Sequence, residues 1–299
     1  MNSMRQNFLL GLNKLGAFLM KGRREATIAA MLTAAFPFLG WASLAIVAFV
    51  TLRKGSRDGL FVLCWSIIPA ILMAYFMMGT VAVAIESLVS YGFVWGLALL
   101  LRATASWAYV LELAFFIAIV FVVFLYWLIP DLNDIYAQNL VDLYQNAGAN
   151  PQSVTTIRGF IEKIVYYLLG LQTTVYVLQS LLALLIGRGL QAFMFNPGGL
   201  SLEIKGIRLR WMLCVLAVIC TVFGFVKSYD WAIATFPIWI ALFLIAGFSV
   251  IHYGIKQRIQ FKGAILLFYV LCILLFPFSI IPVVLLAWID TIWNVRRFL

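Results

Sequence analysis

Apolar residues run through this chain in long stretches separated by short polar breaks, and several, such as Leu113–Leu128 and Val215–Phe225, carry no charge at all. Strands of a membrane barrel would alternate apolar and polar positions in segments of about ten residues. Continuous runs instead predict helices, which satisfy their own backbone donors and acceptors. Six full spans are predicted, over roughly 59–78, 80–101, 104–128, 164–187, 211–226 and 231–251.

Two further apolar stretches do not read as simple crossings. Ala26–Leu52 is preceded by Lys21, Arg23 and Arg24 and followed by Arg53, Lys54 and Arg57, so one crossing would strand a basic cluster on the wrong side. Its middle reads Phe36-Pro37-Phe38-Leu39-Gly40, where proline and glycine interrupt a helix. Two arms of about 12 residues reach only about 18 Å each, short of a 30 Å hydrocarbon core. A helical hairpin that enters and returns on one side is therefore expected. Gly263–Asp290 repeats the pattern, with basic residues on both flanks and a break at Phe276-Pro277-Phe278. The expected fold is all-α: a polytopic transmembrane bundle of about six spans plus two proline-broken hairpins, giving 8–10 membrane helical segments.

Two amphipathic segments complete the layout. In residues 1–25, Phe8, Leu9, Leu12, Leu15 and Leu19 recur at helical spacing among Arg5, Asn13, Lys14 and Lys21, which predicts an interfacial helix. The rest, 26–299, is one transmembrane helical domain with an external segment at 130–162. There Leu132, Ile135, Tyr136, Leu140, Leu143 and Tyr144 form an apolar stripe, read as an interfacial helix, with a lid over a cavity as the alternative.

Composition makes lipid the solvent. Hydrophobic residues are 65%, charged residues 11%, and mean hydropathy is +1.06. A soluble domain is about 45–50% apolar and about 25% charged. The net charge of +10 lies in clusters beside the apolar runs, which fits a cytoplasmic face against anionic lipid and not a nucleic-acid groove. With this layout all but three of the 21 basic residues (Arg158, Lys163 and Lys227) lie on one side, and both termini of the multi-pass chain are expected in the cytoplasm. Cys64, Cys214, Cys220 and Cys272 sit inside apolar segments without CxxC spacing and read as buried hydrophobes.

Candidate chemistry is sparse. Glu86 and Glu112 lie inside consecutive spans, roughly 9–12 Å from the nearer membrane face. A charge at the bilayer centre costs about 2.5–3.5 kcal/mol on insertion scales. Each is a candidate ligand contact in a shared cavity, or else a hydrogen-bonded carboxyl that joins helices. Arg102 ends the second span and can reach phosphates, and His252, alone of its kind, suits an interfacial hydrogen bond. The 188–210 loop holds Asn196-Pro197-Gly198-Gly199 followed by Glu203, Lys205, Arg208 and Arg210, a tight turn and a basic stretch suited to headgroups or a cytoplasmic partner. Asp290, Asn294 and Arg297 share a helix face, and Asp290 is expected to pair with an arginine of the tail, which includes Arg296, or of the 188–210 loop. Asp131 and Asp134 have the spacing of a metal-binding pair but stand at a helix start, where acids favour the dipole. Ala30–Ala34 and Gly92–Gly96 have small-xxx-small spacing suited to close helix packing. No HExxH, nucleophile elbow or His/Cys set is present, so no enzyme, catalytic residue, metal or cofactor is expected.

The Asn196–Gly199 turn with the basic stretch to Arg210, and the ending Trp288-Ile-Asp290-Thr-Ile-Trp293-Asn-Val-Arg296-Arg297, resemble the YybS-like bacterial membrane proteins. That family is distantly similar to the S components of energy-coupling-factor vitamin transporters. The resemblance implies a ligand-binding bundle and a membrane coupling subunit, which S components meet through an Ala-xxx-Ala patch matched here by Ala30 and Ala34. The leading expectation is binding or transport of a small or amphipathic ligand. The alternative is a scaffold or assembly factor that recruits a cytoplasmic protein.

Overall fold

The computed structural model describes residues 2–36, 38–79, 81–148, 150–258 and 263–298. It is all-α, and no strand occurs among those residues. Among the described residues, five helices are long and apolar enough to cross a membrane: Ser56–Met77, Ala84–Thr104, Trp107–Leu128, Thr156–Phe195 and Asp230–Ile255. The chain is an α-helical membrane protein. It divides into two compact units, Met1–Val110 with Tyr176–Ile204, and Leu111–Val175 with Lys205–Leu299.

The first unit begins with α1 (Asn2–Lys21), the expected amphipathic helix, which packs on α2 (Arg23–Ala34). α2 and α3 (Gly40–Lys54) are the two arms of the first hairpin, with Pro37 outside the described residues. Every residue from Ser43 to Leu52 is buried, because α3 packs against α2, α4 (Ser56–Met78) and α5 (Val81–Thr104). A helix apolar on all sides belongs in the middle of a bundle. The hairpin is thus the core of its unit, with Phe49, Val47 and Val50 fully enclosed. Gly187 of α8 (Pro151–Phe195) also meets α3: a Cβ there would lie 2.8 Å from the Ala45 carbonyl.

In the second unit, α6 (Trp107–Leu128) contributes its residues from Leu111 onward. It leads to α7 (Leu132–Asn146), the predicted external helix. Leu132 and Val141 are buried while Ile135, Leu143 and Tyr144 stay exposed. Asn133 fixes α7 in place: it accepts from Tyr126 at 2.8 Å and donates to Asp230 at 2.8 Å. After α9 (Gly199–Lys205) of the first unit come α10 (Trp211–Phe225), α11 (Asp230–Ala234) and α12 (Phe236–Arg258). The second proline-broken segment forms α13 (Ala264–Leu274) and α14 (Ile280–Trp293), joined by a turn holding a cis Phe276-Pro277 bond; both helices pack on α12, and α13 does not pack along α14 as the arm of a hairpin would. α14 lies along α12, so close at Gly247 that a Cβ would fall 2.3 Å from the Val283 carbonyl. α13 has no buried residue. A single 3-10 turn, Val295–Arg297, follows.

Three expectations are corrected. The fourth span is part of a 45-residue helix that starts at Pro151, where a proline costs nothing because the first N–H has no partner. At 1.5 Å per residue α8 is about 68 Å long, twice a hydrocarbon core. The fifth predicted span, α10, has only 15 residues, about 22 Å, so the long spans number five and not six. The first hairpin starts at Arg23, three residues before the apolar run, because Arg23 and Glu25 suit the solvated first turn of α2.

Candidate ligand site

A cavity of about 310 Å³ lies within the first unit. Its walls are the tip of the first hairpin (Ala34, Phe36, Gly40, Leu44), the C-terminal half of α4 (Ala70, Met73, Ala74, Met77), the first turns of α5 (Glu86, Ser87, Ser90, Tyr91) and Tyr176 and Gln179 of α8. Each wall follows from the local sequence. The turn between α2 and α3 leaves no helix at that depth. Pro69 sits inside α4 just before the lining residues and removes a helical donor there. Tyr91 donates to Ser43 Oγ at 2.7 Å, and Ser43 donates to the Ala30 carbonyl at 2.8 Å, a relay that fixes α5 to both hairpin arms.

Glu86 is half-buried in this wall, and its Oε2 accepts from the Tyr176 hydroxyl at 2.6 Å. A carboxylate can accept about four hydrogen bonds. Among the described residues no lysine, arginine or histidine lines the cavity, so no side chain of theirs supplies a compensating charge. The arrangement suits a molecule with an apolar body and one cationic or proton-donating head.

Glu112 has a different setting from the one expected. Its carboxylate takes the Arg210 backbone N–H at 2.9 Å and the Arg210 Nε at 3.1 Å. Arg210 precedes the first turn of α10, whose N–H groups have no helical acceptor and favour negative charge. Glu112 therefore joins α6 to the start of α10 and does not line the Glu86 cavity.

The residues proposed for partner or headgroup contact largely serve their own units. Asn196 and Gly199 close a turn through a 3.0 Å backbone bond, with Pro197 between and Gly198 at φ 88°, which needs glycine. Arg208 donates to the carbonyls of Asp290 at 3.2 Å and Thr291 at 3.3 Å, capping the C-terminal end of α14. Asp290 is buried and pairs at 3.0 Å with a tail arginine, Arg296, and not with Arg297, the one that the helical spacing puts on its face. Arg296 also donates to the Lys205 and Ile207 carbonyls and to Ser249 Oγ at 3.2 Å, and lies over the Tyr253 ring. Arg297 is exposed, as are Asn196, Pro197 and Gly198 of the turn.

Other sequence candidates resolve simply. Ala30 and Ala34 are buried inside the first unit, so that patch serves internal packing. A Cβ on Gly92 or Gly96 would meet nothing within 4 Å, so this pair makes no close helix contact. His252 shares a 3.1 Å hydrogen bond with Tyr269. Asp131 stands at the N-cap of α7.

Sequence reasoning missed Tyr176, Gln179 and Pro69. The first two recur at helical spacing in an otherwise apolar run, a polar face that marks an internal cavity. It also missed Arg188, whose guanidinium pairs with Glu203 while Trp107 donates to the same carboxylate at 3.1 Å. No family model, curated protein or solved structure matches the chain.

Proposed function

We propose that this is a bacterial inner-membrane protein that binds a small amphipathic molecule with a cationic or proton-donating head in the Glu86 cavity, as a step in moving it across the bilayer. The observation that carries the reading is one uncompensated carboxylate, oriented by Tyr176, in a mostly apolar cavity at the edge of a span. The basic ends of α2, α3, α4 and α5 gather at one end of their unit, which supports a cytoplasmic setting for that end under the positive-inside rule. The cavity then belongs to the opposite half of the membrane. Resemblance to YybS-like proteins, and through them to vitamin-binding S components, points the same way. The scaffold reading is weaker, because Arg208, Asp290 and Arg296 are occupied inside the second unit.

The test is binding of a cationic styrylpyridinium dye, which brightens on leaving water, to the protein in neutral-lipid nanodiscs. Saturable binding is expected, weakened about tenfold by Glu86→Gln through loss of one charge-assisted contact. Equal binding by wild type and variant would overturn the reading.

A further inference from the structure

A second concave site lies at the other end of the first unit. It has a volume of about 720 Å³, and its charged lining is Arg23, Lys54, Arg57, Arg102 and Asp58. Asp58 is paired with Arg23 at 2.5 Å, which leaves three cations in excess. Lys54, half-buried, and Arg57, exposed, have no carboxylate partner among the described residues, whereas Arg188 and Arg296 each pair with one. Arg102 is held by donating one Nη1 bond to the Thr51 carbonyl at 3.0 Å, which leaves the remaining donors of its guanidinium for a ligand.

The backbone adds to the same field. α4 begins in this site and has no side-chain cap, so its first N–H groups lack an acceptor. Gly55, at φ 106°, makes the turn into α4, and a Cβ there would lie 3.0 Å from Arg102 Nη1. Glycine is needed both for the backbone angle and for the approach of the guanidinium. The α4 N-terminus, a turn and three cations without a carboxylate partner thus converge at the boundary of two spans, where lipid headgroups lie.

We infer that this pocket binds a phosphate group, through the α4 N-terminus and the side chains of Lys54, Arg57 and Arg102. The two sources of that chemistry are an anionic phospholipid headgroup and a soluble phosphate compound. Position at the ends of α4 and α5, beside the apolar Leu99 and Ala103 where acyl chains would lie, favours the lipid.

The protein is purified in mixed phosphatidylcholine and phosphatidic acid, partly delipidated, and weighed intact to count retained lipids; Tm is measured separately with and without millimolar inorganic phosphate. Lys54→Gln with Arg57→Gln is the working variant, since neither side chain holds the fold, and Lys14→Gln with Arg24→Gln removes equal charge outside the pocket. Wild type and the Lys14/Arg24 variant are expected to retain phosphatidic acid in preference to phosphatidylcholine, and the pocket variant to retain about tenfold less. A rise in Tm with inorganic phosphate that the pocket variant loses, without selective lipid retention, would assign the site to a soluble phosphate compound. Equal loss in both variants, or neither retention nor a Tm shift in wild type, would overturn the inference. Because dye binding at Glu86 is read separately, the two proposals fail independently.

Discussion

Glu86 and Glu112 enter their helices at the same point, each five residues after the first residue of α5 or α6, and in sequence they look alike. Their surroundings separate them. Glu112 is held by a guanidinium and a backbone N–H at the start of α10, so its charge is matched on both sides. Glu86 is held by one neutral hydroxyl in a cavity that contains no cation. A membrane carboxylate with a fixed counter-charge is a joint between helices. One without it is available to something that comes from outside the chain.

That distinction can be broken or sharpened by substitution. The largest effect is expected at the extreme case of a matched acid, Asp290. Arg296→Ala strands a buried carboxylate and frees two carbonyls, and should cost about 3–5 kcal/mol, seen as a collapse of Tm in thermal unfolding. Glu112→Ala should cost less, about 1–2 kcal/mol, because Arg210 is half exposed and water screens what is lost. Dye binding should survive it. Glu86→Ala should shift unfolding by at most about 1 kcal/mol while dye binding falls about tenfold or more. The smallest change is expected for Tyr176→Phe, about 0.5–1 kcal/mol in stability, with dye affinity reduced two- to fivefold. If Glu86→Ala unfolds the protein as severely as Glu112→Ala and leaves the dye bound, the two glutamates are the same kind of residue and the contrast is gone.

Much of the fold was legible in advance because apolar length and proline position are local signals. α2 ends just before Phe36 and α13 just before Phe276, where the breaks were predicted, and α7 forms over the stripe that predicted it. The continuity of α8 was not legible: its polar first turns look like loop in a hydropathy profile, and Pro151 reads as a break when it is a helix start. Span length failed at α10 for the opposite reason, since composition says how apolar a segment is but not how far its helix runs. The site was half legible. A carboxylate inside a span announces itself, but whether it has a partner depends on residues far away in sequence, 90 positions for Tyr176 with Glu86 and 98 for Arg210 with Glu112. Ala30 and Ala34 show the same limit, because their spacing predicts a close contact without naming the helix that makes it.

The division into units has a consequence for how the chain is made. Neither unit is continuous: the first needs residues 176–204 to complete it, and these emerge only after most of α6, α7 and the start of α8 have been synthesised. The hairpin and its Ser43–Tyr91 bond can form early, since all their parts lie in the first hundred residues. The cavity wall cannot. Glu86 therefore enters the bilayer before its tyrosine exists, and the nascent chain carries an unsupported carboxyl through several insertion steps. A chaperone or the insertion machinery would see this protein for a time as a half-built bundle with an acid in its open side, and slowing elongation between residues 110 and 176 should lengthen that interval.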